Sequence, residues 1–270
     1  MLWSNRHAQT VGATFIRSPA KIEVESEDLI MPDGGTIRLD WCKGEHRPNQ
    51  PYGIIFPGLL GGTMSAEVSG HVRYFQKKGI KSIVFNGRGV KIPLTTPYIG
   101  TFTEDIEIAI EHIYVKLKET FPNEGEPKLV GIGFSMVWNK KKIFFFTKHF
   151  FQGGNVITKY LGEMGDRTRL IGAYTYANPY NLVPCQPFIK SSFWSNLFYN
   201  ILYIGTKKQL IEKMTEKERE LFSGVVDLDQ CLKEEDTIEL DKKVKKKKIL
   251  NLFILSCFYH CIHITIILIT

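Results

Sequence analysis

A chain of 270 residues, 43% hydrophobic and 23% charged, has the length and composition of one α/β domain with a sizeable core, or of two small domains at most. Its net charge of +7 is local: Lys140, Lys141, Lys142 and Lys148, then Lys242, Lys243 and Lys245 to Lys248, fall in two stretches that hold no acid, and without those ten lysines the rest of the chain carries −3. The charge is therefore no argument for nucleic-acid binding.

Residues 1–20 have no clean period and read as an arm packed on the domain. They turn polar at once, unlike a signal sequence. Lys21–Ile30 opens with strict alternation, Pro32-Asp33-Gly34-Gly35 is a turn signal, and Thr36–Trp41 alternates again, which predicts an antiparallel hairpin. Tyr52–Phe56 reads as a buried strand. It ends in Pro57-Gly58-Leu59-Leu60-Gly61-Gly62, a turn able to aim backbone N–H groups into a cavity or simply to lead into a helix. Val68–Lys77 is predicted helical with Gly79 as C-cap, and Ile80–Phe85 is the next strand. Asn86-Gly87-Arg88-Gly89 makes a tight turn, and the loop through Pro93, Pro97 and Gly100 has the irregular character of a pocket rim. Thr103–Lys118 is the clearest helix, with Thr103 as cap, Glu104 and Asp105 at its positive end, and Ile106, Ala109, Ile110, Ile113 and Leu117 on one face. His112 beside that face is expected to be packed or exposed rather than catalytic.

Leu129–Ile132 is a short apolar run of buried-strand type that leads into Gly133-Phe134-Ser135. This is the first half of a G-x-S-x-G elbow, the sharp strand-to-helix turn that lifts a serine hydroxyl above a sheet. Val137 stands where the second glycine belongs. With residues 137–152 skipped, however, the chain reads Gly133-Phe134-Ser135-Met136-Gly153-Gly154-Asn155, a complete elbow running into the helix Asn155–Met164. Leu170–Tyr176 is a further strand closed by Asn178-Pro179. Residues 187–222 are helical and aromatic-rich, then charged, and Asp227–Leu240 is a charged helical piece. Strands alternating with helices after a leading hairpin imply a mostly parallel sheet.

These motifs, with Asn5-Arg6-His7-Ala8-Gln9-Thr10 and Thr103-Glu104-Asp105 in the same order, resemble the YheT-like group of α/β-hydrolases, which includes bacterial esterases and eukaryotic abhydrolase-domain phospholipases. The resemblance implies an α/β-hydrolase fold, mostly parallel sheet with flanking helices, over residues 1–241, interrupted at 137–152 and incomplete at its C-terminal end. Residues 187–222 are then cap helices. It implies Ser135 as nucleophile, the backbone N–H groups of Leu59 and Met136 as oxyanion hole, a lipid or medium-chain acyl ester as substrate, and no cofactor.

The family order continues from Ser to Asp or Glu and then His. After Ser135 the histidines are His149, His260 and His263, in the insertion and in the terminal run. Asp227, Asp229, Asp236 and Asp241 sit in charged helical sequence, and nothing after residue 240 reads as the strands that carry the family's acid and base. No triad acid or histidine is assigned, and hydrolysis by this chain is expected to be impaired; the alternative is a non-catalytic hydrolase-fold protein that binds a lipid or a partner. Residues 137–152 and 244–270 have the Lys, Phe, Ile and Asn bias of AT-rich codons and are expected to be retained introns or a gene-model error. Taken at face value, Ile249–Thr270 is a 22-residue run without formal charge behind a lysine cluster. That predicts membrane association through a C-terminal single-pass anchor with its lysines on the cytoplasmic side. Five scattered cysteines (Cys42, Cys185, Cys231, Cys257, Cys261) favour a reducing compartment, and His260 and His263 beside Cys257 and Cys261 lack the carboxylates and spacing of a metal site.

Overall fold

The computed structural model describes residues 18–58, 61–89, 103–134, 153–176, 178, 212, 216, 219–220, 227–233 and 264–268. The leading alternation becomes β1 (Val24–Ile30) and β2 (Thr36–Cys42), antiparallel, with Ile30 opposite Thr36 across the Pro32–Gly35 turn. Gly34 takes φ 82 there, a left-handed conformation that a side chain would strain. Beyond the hairpin come β3 (Tyr52–Phe56), α1 (Ala66–Lys78), β4 (Ser82–Asn86), α2 (Glu104–Thr120), β5 (Leu129–Phe134), α3 (Gly153–Met164), β6 (Leu170–Tyr176), α4 (Leu228–Lys233) and β7 (Ile264–Leu268). One seven-stranded sheet has the order β1-β2-β4-β3-β5-β6-β7. Its centre, β4-β3-β5-β6, is parallel, and antiparallel strands flank it on both sides.

The parallel strands read as continuous apolar runs because both faces are covered, and their two-residue period divides the core. Ile54 and Phe56, Ile83 and Phe85, and Leu129 join Ile106, Ile110 and Ile113 of α2 and Val156, Ile157 and Tyr160 of α3. On the opposite face Ile55, Val84, Ile132 and Phe134 pack with Val68 and Val72 of α1. Helix α1 ends at Gly79, φ 72, whose N–H donates to the Gln76 carbonyl at 3.1 Å, the predicted left-handed cap.

Three expectations change. Thr103 precedes α2, but its hydroxyl makes no cap; it donates to Glu163 Oε2 at 2.5 Å and so ties α2 to α3. The reading of Ile264–Leu268 as part of one continuous apolar span fails at β7, where the β-branched run ITIIL pairs antiparallel with β6. The membrane anchor fails with it. Among the described residues no helix is long and apolar enough to cross a membrane. Once Ile264–Leu268 is a strand, residues 249–263 remain from the apolar run. As a helix they reach about 22 Å, short of the ~30 Å hydrocarbon core. A run of isoleucines has no period by which a strand can be told from a span.

Candidate active site

Two glycines bring the pieces of the split motif together. A Cβ on Gly133, at the end of β5, would stand 2.7 Å from the Gly153 carbonyl oxygen, 2.7 Å from Ile157 Cγ2 and 2.8 Å from Gly154 Cα. A Cβ on Gly153 would overlap the Phe56 carbonyl and lie 2.7 Å from the Pro57 oxygen. The Gly153 N–H donates to that Pro57 oxygen at 3.0 Å. The ends of β3 and β5 and the start of α3 therefore meet backbone to backbone, an approach open only to residues without side chains. Gly154 lies against Asn178, whose Nδ2 donates to Thr158 Oγ1 at 3.1 Å, so the second residue after β6 braces the first turns of α3.

The turn after β3 is also fixed. The Gly61 N–H donates to the Gly58 oxygen at 2.8 Å. Thr63 follows, buried with Asp40 of β2 and Asn86 of β4. The Thr63 hydroxyl donates to Asp40 Oδ2, Asn86 Nδ2 donates to the same oxygen at 3.0 Å, and Ser26 donates to Asp40 Oδ1 at 2.6 Å. Beside this carboxylate the buried Cys42 thiol is pushed up to about 12, by burial first and by the negative Asp40 second, which leaves it no nucleophile. The motifs Asn86-Gly87-Arg88-Gly89 and Thr103-Glu104-Asp105 prove to be two halves of one ion pair. Arg88 Nε and Nη2 donate to the two Asp105 oxygens at 2.8 and 2.6 Å, and Nη1 reaches Asp33 at 2.5 Å. Burial opposes the Arg88 charge, but its two carboxylates outweigh that and hold its pKa above the ordinary range. The guanidinium lies over Gly35, where a Cβ would collide with it.

Ser135, Leu59 and Met136, the residues singled out for chemistry, lie outside the described residues, as do His149, His260, Asp236, Asp241 and the cap segment apart from residues 212, 216 and 219–220. Their described neighbours share one edge. Phe134, the last residue of β5, is in register with Tyr176 of β6, and Phe56, the last of β3, with Gly133. Ser135 follows Phe134 directly, and Leu59 is three residues beyond Phe56. Tyr176 pairs in turn with Ile264, so β7 begins at this same edge, two strands and about 10 Å from the end of β5. His263, the residue before β7, is outside the described residues. Asp227 and Asp229 stand at the start of α4, not at a strand end; the Asp227 carboxylate accepts from the Gln230 N–H at 3.0 Å. His112 is a packed residue, its Nε2 3.0 Å from Glu27 Oε1. Among the described residues no group of three His, Cys, Asp or Glu could hold a metal ion. Sequence reasoning passed over the Asp40 cluster, because the alternation of TIRLDW sets Asp40 with Thr36 and Arg38 on the face opposite Ile37, Leu39 and Trp41, where an acid carries no signal of burial.

No family model matches the chain. Among curated proteins it is 31% identical to Embryogenesis-associated protein EMB8 of Picea glauca over 82% of this chain and 45% of that protein. It is 28% identical to Phospholipase ABHD3 of Mus musculus over 89% of this chain and 54% of that one. It is also 32% identical to Monoacylglycerol lipase of Saccharomyces cerevisiae (strain ATCC 204508 / S288c) over 63% of this chain and 32% of that enzyme. The chain thus spans about half the length of the first two relatives. Its homologues include abhydrolase-domain proteins, and with its parallel block, leading hairpin and helices on both faces it has the α/β-hydrolase fold.

Proposed function

We propose that the chain carries the nucleophile site of a serine hydrolase for carboxylic esters of lipid or medium-chain acyl type, within the YheT-like branch of the abhydrolase-domain proteins. Ser135 attacks the ester carbonyl, and the N–H groups of Leu59 and Met136 hold the negative oxygen that develops. The alcohol leaves, and water releases the acid from the acyl-serine. One observation carries the reading: Gly133 packed on Gly153 and Gly154, with Gly153 bonded to Pro57. That contact has the geometry an uninterrupted G-x-S-x-G turn needs, and the lipase and phospholipase relatives support the reaction class.

Turnover is impaired on this reading, because no histidine with its acid is assigned to activate the serine hydroxyl. A fluorophosphonate probe applied to the full chain tests both parts. The expected result is a slow adduct mapped to Ser135 and absent from Ser135→Ala. An adduct that survives Ser135→Ala removes the assignment, and fast, stoichiometric labelling removes the impairment. A second reading, binding without turnover, is favoured by a cavity of about 760 Å³ beside α1, lined by Gly70, His71, Tyr74, Phe75, Val130 and Ile132 among others. Binding of a fluorescent fatty acyl ester with no adduct at Ser135 is the outcome that selects it.

A further inference from the structure

Asp40, Thr63 and Asn86 are 2%, 1% and 1% exposed, yet they form a polar cluster where apolar side chains would pack at lower cost. The three side chains that donate to the Asp40 carboxylate come from separate segments: Ser26 from β1, Asn86 from β4, and Thr63 from the turn after β3. Thr63 is held twice, since its own N–H donates to Asn86 Oδ1 at 3.3 Å while its hydroxyl donates to Asp40. Immediately beyond it Ser65 closes the turn on Gly62, donating to that carbonyl at 2.6 Å. The other end of the segment is fixed by the Gly153 N–H on the Pro57 oxygen. Between these anchors, at residue 57 and residue 63, lies Leu59.

We propose that Asp40, Thr63 and Asn86 are positioning residues for the Leu59 amide, clamping the glycine turn to the sheet so that its N–H meets the substrate oxygen at Ser135 without rearrangement. The inference rests on the serine-hydrolase reading above. An oxyanion donor works because it is set in place before the charge appears, and a displacement of about 1 Å costs on the order of a hundredfold in rate. A buried carboxylate serves such a clamp well: it can accept from several strands at once, and in the interior each of those bonds is hard to break.

The test compares the full chain with Thr63→Val, which keeps the shape and loses the hydroxyl, and with Thr63→Ser, which keeps the hydroxyl. In hydrogen exchange followed by mass spectrometry, Thr63→Val should speed exchange in the 57–65 peptide about tenfold, with β5 and α3 unchanged, and Thr63→Ser should restore it. The fluorophosphonate adduct at Ser135 should form about 10- to 100-fold more slowly in Thr63→Val, with little change in half-saturating probe concentration, and recover in Thr63→Ser. Asp40→Asn tests the same link if Thr63→Val does not fold. Unchanged exchange at 57–65 overturns the clamp. Faster exchange with an unchanged labelling rate overturns its role at Ser135 and leaves the hydrolase reading intact. A wild-type chain with no Ser135 adduct removes the hydrolase reading, and this inference falls with it.

Discussion

The two faces of the sheet are built to different tolerances. Helices α2 and α3 close one face, and β5 turns Gly131 and Gly133 toward them; a Cβ on Gly131 would already stand 3.1 Å from Leu170 and 3.3 Å from Ile157. On the other face β5 presents Val130, Ile132 and Phe134 to α1, and Val130, Phe75 and Tyr174 are only partly buried beside the cavity. The same strand thus carries two packing regimes one residue apart. The elbow belongs to the tight face, where backbone touches backbone. Space for an apolar guest belongs to the loose one.

Substitutions can break or sharpen that contrast. The largest loss is expected from Arg88→Met, which leaves Asp105, 2% exposed, as a buried and uncompensated carboxylate at the start of α2. Urea unfolding should report about 3–5 kcal/mol lost; a loss under about 1 kcal/mol would show that this pair does not hold the tight face. Next is Gly153→Ala. Its Cβ would meet the Phe56 carbonyl, so relief needs movement of backbone. About 3 kcal/mol should be lost, together with any Ser135 labelling, and retention of both would mean the three segments do not converge as described.

A smaller effect comes from acid. Arg38 holds Asp28, Arg169 holds Glu111 and the Thr103 hydroxyl holds Glu163 below their ordinary values of 3.8, 4.5 and 4.5. Two of these contacts brace the tight face, Glu163 to the start of α2 and Glu111 to the residue before β6. Because the folded values are lowered, the stability they contribute is present above the ordinary values and is lost as pH falls through the folded ones. The urea midpoint should be level near neutrality and decline below about pH 4.5. A midpoint that rises on acidification would contradict these pairings. Smallest is Gly70→Ala in α1, on the loose face, where a Cβ would meet nothing within 4 Å. A gain of about 0.5–1 kcal/mol is expected from helix propensity alone, and a loss would mean that this flank is covered.

Much of this architecture was legible in residue order. Strict alternation gave the hairpin, the apolar runs gave the parallel strands, and the need for glycine at a close approach let Gly133 and Gly153 be read as one motif across the sixteen residues 137–152. What was not legible depends on separation. Arg88 and Asp105 appeared as two unrelated marks because seventeen positions separate them, and only the packed fold puts a guanidinium over a helix start. Asp40 needed Thr63 and Asn86, each from a different element, before a buried acid made sense. Thr103 had the right residue type for a cap, but Glu163, sixty positions away, competes for its hydroxyl. Ile264–Leu268 looked like part of a span because a uniformly apolar run has no period to betray it.

Removing residues 137–152 tests the central claim most directly. If strand β5 and helix α3 already meet through Gly133 and Gly153, joining Met136 to Gly153 shortens the connection without moving either element. Urea unfolding of the deletion variant should remain one cooperative transition with stability raised by about 1–2 kcal/mol from lower closure entropy. A variant that loses its transition, or is less stable than the full chain, would contradict the assembled elbow.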